Sequence, residues 1–153
     1  MLDVGDKIPD FDLPTNGSGT LSNKDLKGKT VVLYFYPRDM TPGCTTEAQD
    51  FRDQIKAFEK AGAIIVGVSK DSVKRHDNFV AKQELPFQLI SDEEGSLCED
   101  FGVWVEKSMY GKKFMGIQRA TFVIDGSGKI THAWPKVKVK GHVDEVLEVV
   151  KAS

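Results

Sequence analysis

Residues 30–36, Thr-Val-Val-Leu-Tyr-Phe-Tyr, restrict the possible folds of this chain more than any other stretch. A short run of β-branched and aromatic residues, bounded by Gly28-Lys29 and Pro37, fits a strand buried on both faces, and such strands belong to sheets covered by helices. After a short loop, Ala48, Phe51, Ile55 and Phe58 recur at helical spacing among charged residues, and Gly62 offers a terminator. One amphipathic helix over about 43–60 is therefore expected. Residues 63–68 read as a second buried strand, and Val73, His76, Phe79 and Val80 as the apolar side of a second helix.

The rest of the chain extends this alternation. Residues 7–13 alternate loosely ahead of a polar segment, 15–20, which suggests an irregular N-terminal hairpin. Pro86 opens an extended piece ending near Ile90, Ser91-Asp92-Glu93-Glu94 reads as a helix entrance, and Leu97, Cys98 and Phe101 form that helix's apolar side. Residues 121–124 and 129–134 flank the turn Asp125-Gly126-Ser127-Gly128, giving a late hairpin. Val143, Val146, Leu147 and Val150 end the chain as a helix. An α/β fold follows, a mixed sheet between helical layers, and with 153 residues and no composition break a single domain over 1–153 is expected.

The formal charge of −2 supplies no broad attraction for nucleic acid or an anionic membrane, and Lys136, Lys138 and Lys140 read as a solvated edge. No apolar stretch is long enough to span a bilayer, and Met1 to Asp6 lacks the pattern of a secretory signal, so a cytoplasmic protein is expected. His76, His132 and His142 are scattered, which implies no metal cluster, and they read with Trp104 and Trp134 as structural or surface groups. Two cysteines remain, Cys44 and Cys98.

Cys44 follows the central strand at the start of the first helix, where unpaired backbone N–H groups and the helix dipole would stabilise a thiolate. Thr41 is expected to cap this helix, with Pro42 at its first position and Gly43 allowing close backbone approach. These local features fit a reactive thiol and an unreactive thiol beside an efficient cap equally well.

The longer pattern separates the two. Pro37, Thr41 and Cys44 match the peroxiredoxin active-site signature, and the run from Tyr36 to Glu47 with Phe51-Arg52-Asp53 resembles the bacterioferritin comigratory protein, or peroxiredoxin Q, subfamily. Pro9-Asp10-Phe11, Val66-Gly67-Val68-Ser69, Leu89-Ile90-Ser91-Asp92, Tyr110-Gly111 and Arg119-Ala120-Thr121-Phe122 carry the resemblance across nearly the whole chain. It implies a thioredoxin-like fold with an N-terminal β-hairpin extension, and a peroxidase that reduces hydrogen peroxide and organic hydroperoxides through Cys44 sulfenic acid. It also implies that Thr41 and the N–H groups of Gly43 and Cys44 orient the peroxide, that Pro37 shields the pocket, and that Arg119 activates Cys44. Glu47 would support this network, and Arg38, where lysine is common, supplies local charge.

The second sulfur bears on the cycle. At the two positions where the subfamily carries a resolving cysteine, this chain has Gln49 and Val80. Cys98 is the remaining internal candidate, and its place among Leu97 and Phe101 favours a buried, nonresolving thiol. The expected cycle uses one cysteine, no cofactor, and an external thiol such as thioredoxin, glutaredoxin, glutathione or another small thiol, in a monomer. The alternatives are a two-cysteine cycle through Cys98, a thioredoxin-like exchanger, which lacks its Cys-x-x-Cys, and a noncatalytic interaction module.

Overall fold

The computed structural model describes residues 1–153. In chain order the elements are β1 Asp12–Thr15, β2 Gly19–Ser22, β3 Thr30–Phe35, α1 Pro42–Asp53, α2 Ile55–Lys60, β4 Ala63–Ser69, α3 Val73–Gln83 and β5 Gln88–Ser91. They continue with α4 Ser96–Phe101, β6 Trp104–Met109, β7 Lys112–Ile117, β8 Ala120–Ile124, β9 Ile130–Trp134 and α5 His142–Lys151. Seven strands form one mixed sheet in the order β2-β1-β5-β4-β3-β8-β9. β3 runs parallel to β4 and antiparallel to β8, so the strand that leads to Cys44 is central. No helix is long and apolar enough to cross a membrane.

Alternation along β3 divides the core into two layers. Val32, Tyr34 and, one residue past the strand's end, Tyr36 face α1, α2, α3 and α5, where they meet Phe51, Phe58, Phe79 and Val146. Val31, Leu33 and Phe35 face the opposite way, against Leu97, Cys98, Phe101 and Phe122. Tyr34 stacks on Phe51 at 4.6 Å and Phe35 lies 4.9 Å from Phe101, so one strand anchors both layers. Each such side chain contributes roughly 1.5–3 kcal/mol on burial. Gly67 beside Tyr34 has no alternative: a Cβ there would lie 2.7 Å from Leu89 Cδ2 and 3.0 Å from Tyr34 Cζ.

Three sequence expectations are corrected, and one element was not foreseen. The helix expected over 43–60 is two, α1 and α2, broken at Gln54 with φ −106 and ψ 8. The apolar spacing runs through the break unchanged, so packing of α2 on β4 and α5 makes it without a local signal. Ser91 ends β5 instead of opening a helix; α4 starts at Ser96, and Asp92 caps it by accepting from the N–H groups of Leu97 and Cys98 at 3.2 and 2.8 Å. The N-terminal strands fall at 12–15 and 19–22, and β1 joins the main sheet beside β5. The β6–β7 hairpin, unexpected from sequence, forms a separate two-stranded sheet that turns at Tyr110 and Gly111, both left-handed at φ 52 and 78.

Candidate active site

β3 delivers the chain into the loop 37–41, which ends at the N-terminus of α1. Pro42 occupies the first turn and Cys44 lies two residues further on, nearly buried at 2% exposure. Thr41 is the residue before the helix, but its side chain does not cap it. Its hydroxyl donates instead to the Arg38 carbonyl at 2.8 Å, which corrects the expected cap and leaves the first-turn N–H groups without a side-chain acceptor. Those groups and the positive end of the helix are thus available to an anion near Cys44.

Arg119 comes from the far side, between β7 and β8. Its Nη2 donates to Cys44 Sγ at 3.3 Å and its Nη1 donates to Glu47 Oε1 at 2.7 Å, so one guanidinium fork spans the sulfur and a carboxylate three residues along the same helix. Gly43 permits this approach, since a Cβ there would sit 3.2 Å from Nη2. Burial works against the guanidinium's charge, but Glu47 and Cys44 together outweigh it and hold Arg119 above its ordinary range. Glu47 is fully buried, and that burial raises its carboxyl to about 7 against the opposing pull of Arg119. Its second oxygen, Oε2, has no partner. We take the pair as a buried, incompletely neutralised contact in which desolvation prevails at the carboxyl and attraction prevails at the guanidinium.

Pro37 is half-buried and Arg38 exposed at the start of the loop, and Asp39, fully buried, lies between them and Thr41. Cys98 is elsewhere: it is fully buried in the layer across the sheet from Cys44, and burial with the neighbouring Asp92 pushes its thiol far up. Gln49 ties α1 to α3 through Gln83 Oε1 at 2.8 Å, and Arg52 donates to the Gln83 carbonyl at 2.9 Å. Trp134 packs against the core and donates to Glu145 at 3.1 Å, while Trp104 lies under the Lys70 ammonium at 4.0 Å. Burial lowers His142 to about 4, beside Thr121.

Sequence reading missed Lys107, which β6 brings to this region. Burial and then the Arg119 charge hold its ammonium below the ordinary range, while the Cys44 sulfur pulls the other way, so all three groups share one field. Its strand carried little local signal, since Tyr110-Gly111 is not one of the usual hairpin turn pairs. The carboxylate and imidazole atoms that cluster closely enough to hold a metal are those of Asp39, Asp71 and His76, and each is engaged in protein hydrogen bonds.

A helix-end thiol gripped by an arginine suits nucleophilic attack by sulfur, and comparison with known proteins agrees in class. The profile of the AhpC/TSA family matches residues 4–133. Peroxiredoxin Bcp of Bacillus subtilis is 50% identical over 150 residues, covering 98% of this chain and 96% of that protein. A Xylella fastidiosa PrxQ cysteine-to-serine mutant superposes with a TM-score of 0.95 at 42% identity, covering 99% and 97% of the two chains. A Xanthomonas campestris bacterioferritin comigratory protein, solved in work on its alkyl peroxide reduction activity, gives a TM-score of 0.89 at 49% identity over 93% and 90%. The fold is therefore thioredoxin-like and the protein a thiol-dependent peroxidase. Within that class, the chain belongs to the AhpC/TSA family and to its peroxiredoxin Bcp, or peroxiredoxin Q, branch.

Proposed function

We propose that this enzyme reduces hydrogen peroxide and organic hydroperoxides at Cys44 in a one-cysteine cycle. The observation that carries the reading is the Arg119 contact to Cys44 Sγ at 3.3 Å, with Glu47 fixing the other arm of the fork. The Cys44 thiolate attacks one peroxide oxygen, the O–O bond breaks, and the leaving oxygen takes a proton to become water or an alcohol while sulfur becomes sulfenic acid. Arg119 and the N–H groups of Gly43 and Cys44 stabilise the charge as it moves from sulfur to oxygen. Thr41 orients the peroxide by its hydroxyl, and Pro37 keeps water from the sulfur. The alkyl peroxide activity of the Xanthomonas relative supports organic hydroperoxides as substrates.

An external thiol then attacks the sulfenic acid, releasing water and forming a mixed disulfide, and a second thiol frees Cys44 as the external pair becomes oxidised. The position of Cys98 supports this cycle over an internal one, because a disulfide needs Cα atoms within about 7 Å and the two sulfurs belong to opposite core layers. Non-thiol residues at 49 and 80 support it as well. We place the enzyme in the reducing cytoplasm, as a monomer in which residues 1–153 act as one domain. Stopped-flow consumption of hydrogen peroxide by the reduced protein tests the chemistry. Rapid loss of peroxide with loss of one thiol is expected, and it should vanish in Cys44→Ser; consumption unchanged in that variant would refute the reading.

A further inference from the structure

Behind the loop 37–41 lies a buried polar cluster that the chemistry above does not use. His76, on α3, has two partners: its Nδ1 is 2.7 Å from Asp39 Oδ2 and its Nε2 is 2.9 Å from the Ile90 carbonyl oxygen. A carbonyl only accepts, so Nε2 carries a hydrogen, and the contact to Asp39 needs a proton of its own. Tyr36 donates its hydroxyl to the other Asp39 oxygen at 2.6 Å, which favours a carboxylate there. The pattern makes His76 an imidazolium facing the Asp39 carboxylate, a pair with no net charge. The other charged groups at this place, Asp71 and Arg75, pair with each other at 2.8 Å.

The Asp39 backbone is held just as fully. Its N–H donates to Asp71 Oδ2 at 2.8 Å, and its carbonyl accepts from Arg75 Nη2 at 3.3 Å. The next residue, Met40, is left-handed with φ 68, a conformation that a side chain adopts only where its surroundings hold it. Thr41 then returns to extended backbone at φ −77 and ψ 152, and α1 begins. The clamp on Asp39 therefore lies immediately before the turn that aims the N-terminus of α1.

We propose that the buried Asp39–His76 pair is a positioning element for peroxide reduction, sustaining the left-handed turn at Met40 that sets Thr41 and Cys44 against Arg119. The proposal rests on Cys44 as the reacting sulfur. Metal binding by the same cluster is disfavoured because Asp39, His76 and Asp71 Oδ2 already serve buried partners, among them the Tyr36 and Ser69 hydroxyls and the Ile90 carbonyl, which turning to an ion would leave unpaired.

His76→Gln keeps a neutral donor for the Ile90 carbonyl and removes the charged donor to Asp39. The rate constant for Cys44 oxidation by hydrogen peroxide should fall about 10- to 100-fold, as expected for a misplaced reacting group, with KM for the thiol reductant unchanged. In a Met40→Gly background the same substitution should cost less than about threefold, since glycine holds a positive φ without help. No loss in the first case, or an undiminished loss in the second, would overturn the proposal. Should His76→Gln fail to fold, nitrogen-15 NMR of the unaltered protein near neutral pH decides: both His76 ring nitrogens should be protonated, and a nonprotonated one would overturn it. An unaltered protein that consumes no peroxide would instead defeat the reading of Cys44 before any variant is compared.

Discussion

Replacing Glu47 by glutamine turns the buried carboxyl beside Arg119 into a measurement. Burial carries Glu47 from 4.5 to about 7 in the folded protein, with the charge and hydrogen bond of Arg119 opposing the rise. Unfolded, the same group ionises near 4.5. Between these two points the folded protein keeps a proton that the unfolded chain has released, so stability falls as pH rises through the window. The contribution is fully present below about pH 4.5 and has been lost above about pH 7. At about 1.4 kcal/mol for each tenfold change in proton affinity, the full loss is about 3 kcal/mol. Glutamine does not titrate, and Arg119 stays charged throughout, so loss of their attraction offsets the variant's stability without tilting it.

Urea unfolding of the reduced protein, with and without Glu47→Gln, follows this directly, and Cys44→Ser in both arms removes the sulfur's own ionisation. Relative to the variant, the protein carrying Glu47 should lose about 3 kcal/mol between about pH 4.5 and 7.5, at constant urea dependence. A difference that stays flat across that range, or grows in favour of Glu47, would refute the claim that desolvation prevails over the guanidinium at this site.

Three further outcomes follow from the same geometry. Arg119→Lys replaces a two-armed fork by one ammonium that cannot hold both Cys44 and Glu47, and stopped-flow oxidation of Cys44 should slow by about 100-fold or more. Gly43→Ala puts a Cβ 3.2 Å from Arg119 Nη2, forcing the guanidinium outward, and the same assay should show a loss of about 10-fold. Lys107→Met removes a half-buried charge from the field around Cys44; oxidation near pH 7 should slow by about threefold, and the deficit should shrink at high salt.

The strands and helices that bury whole faces were legible in the sequence because periodicity reports burial. The run at 30–36 contains the central strand, Thr30–Phe35, and Val143, Val146, Leu147 and Val150 face the core from α5. The break at Gln54 left no trace, since the spacing of Ala48, Phe51, Ile55 and Phe58 is the same on either side of it. The β6–β7 hairpin was hidden for the opposite reason: it stands apart from the main sheet, exposes Met109, Tyr110, Phe114 and Met115, and turns on Tyr-Gly instead of a familiar turn pair. At the site, motif resemblance singled out Cys44 and Arg119, residues 75 positions apart in sequence, and the structure brings them into contact. No local pattern joins Asp39 to His76, because their meeting depends on how α3 lies against the end of β3. Thr41 misled: its residue type suits a cap, but the loop turns its hydroxyl back to Arg38.

The central claim concerns which sulfur is oxidised and what becomes of it. Reduced protein mixed with one equivalent of hydrogen peroxide, without any external thiol, then trapped with a sulfenic-acid reagent and mapped by peptide mass spectrometry, answers both. The expected result is one trapping adduct on the Cys44 sulfur, marking the sulfenic acid formed there, and an unmodified Cys98 thiol. An unmodified Cys44, or rapid and complete linkage of Cys44 to Cys98, would contradict it.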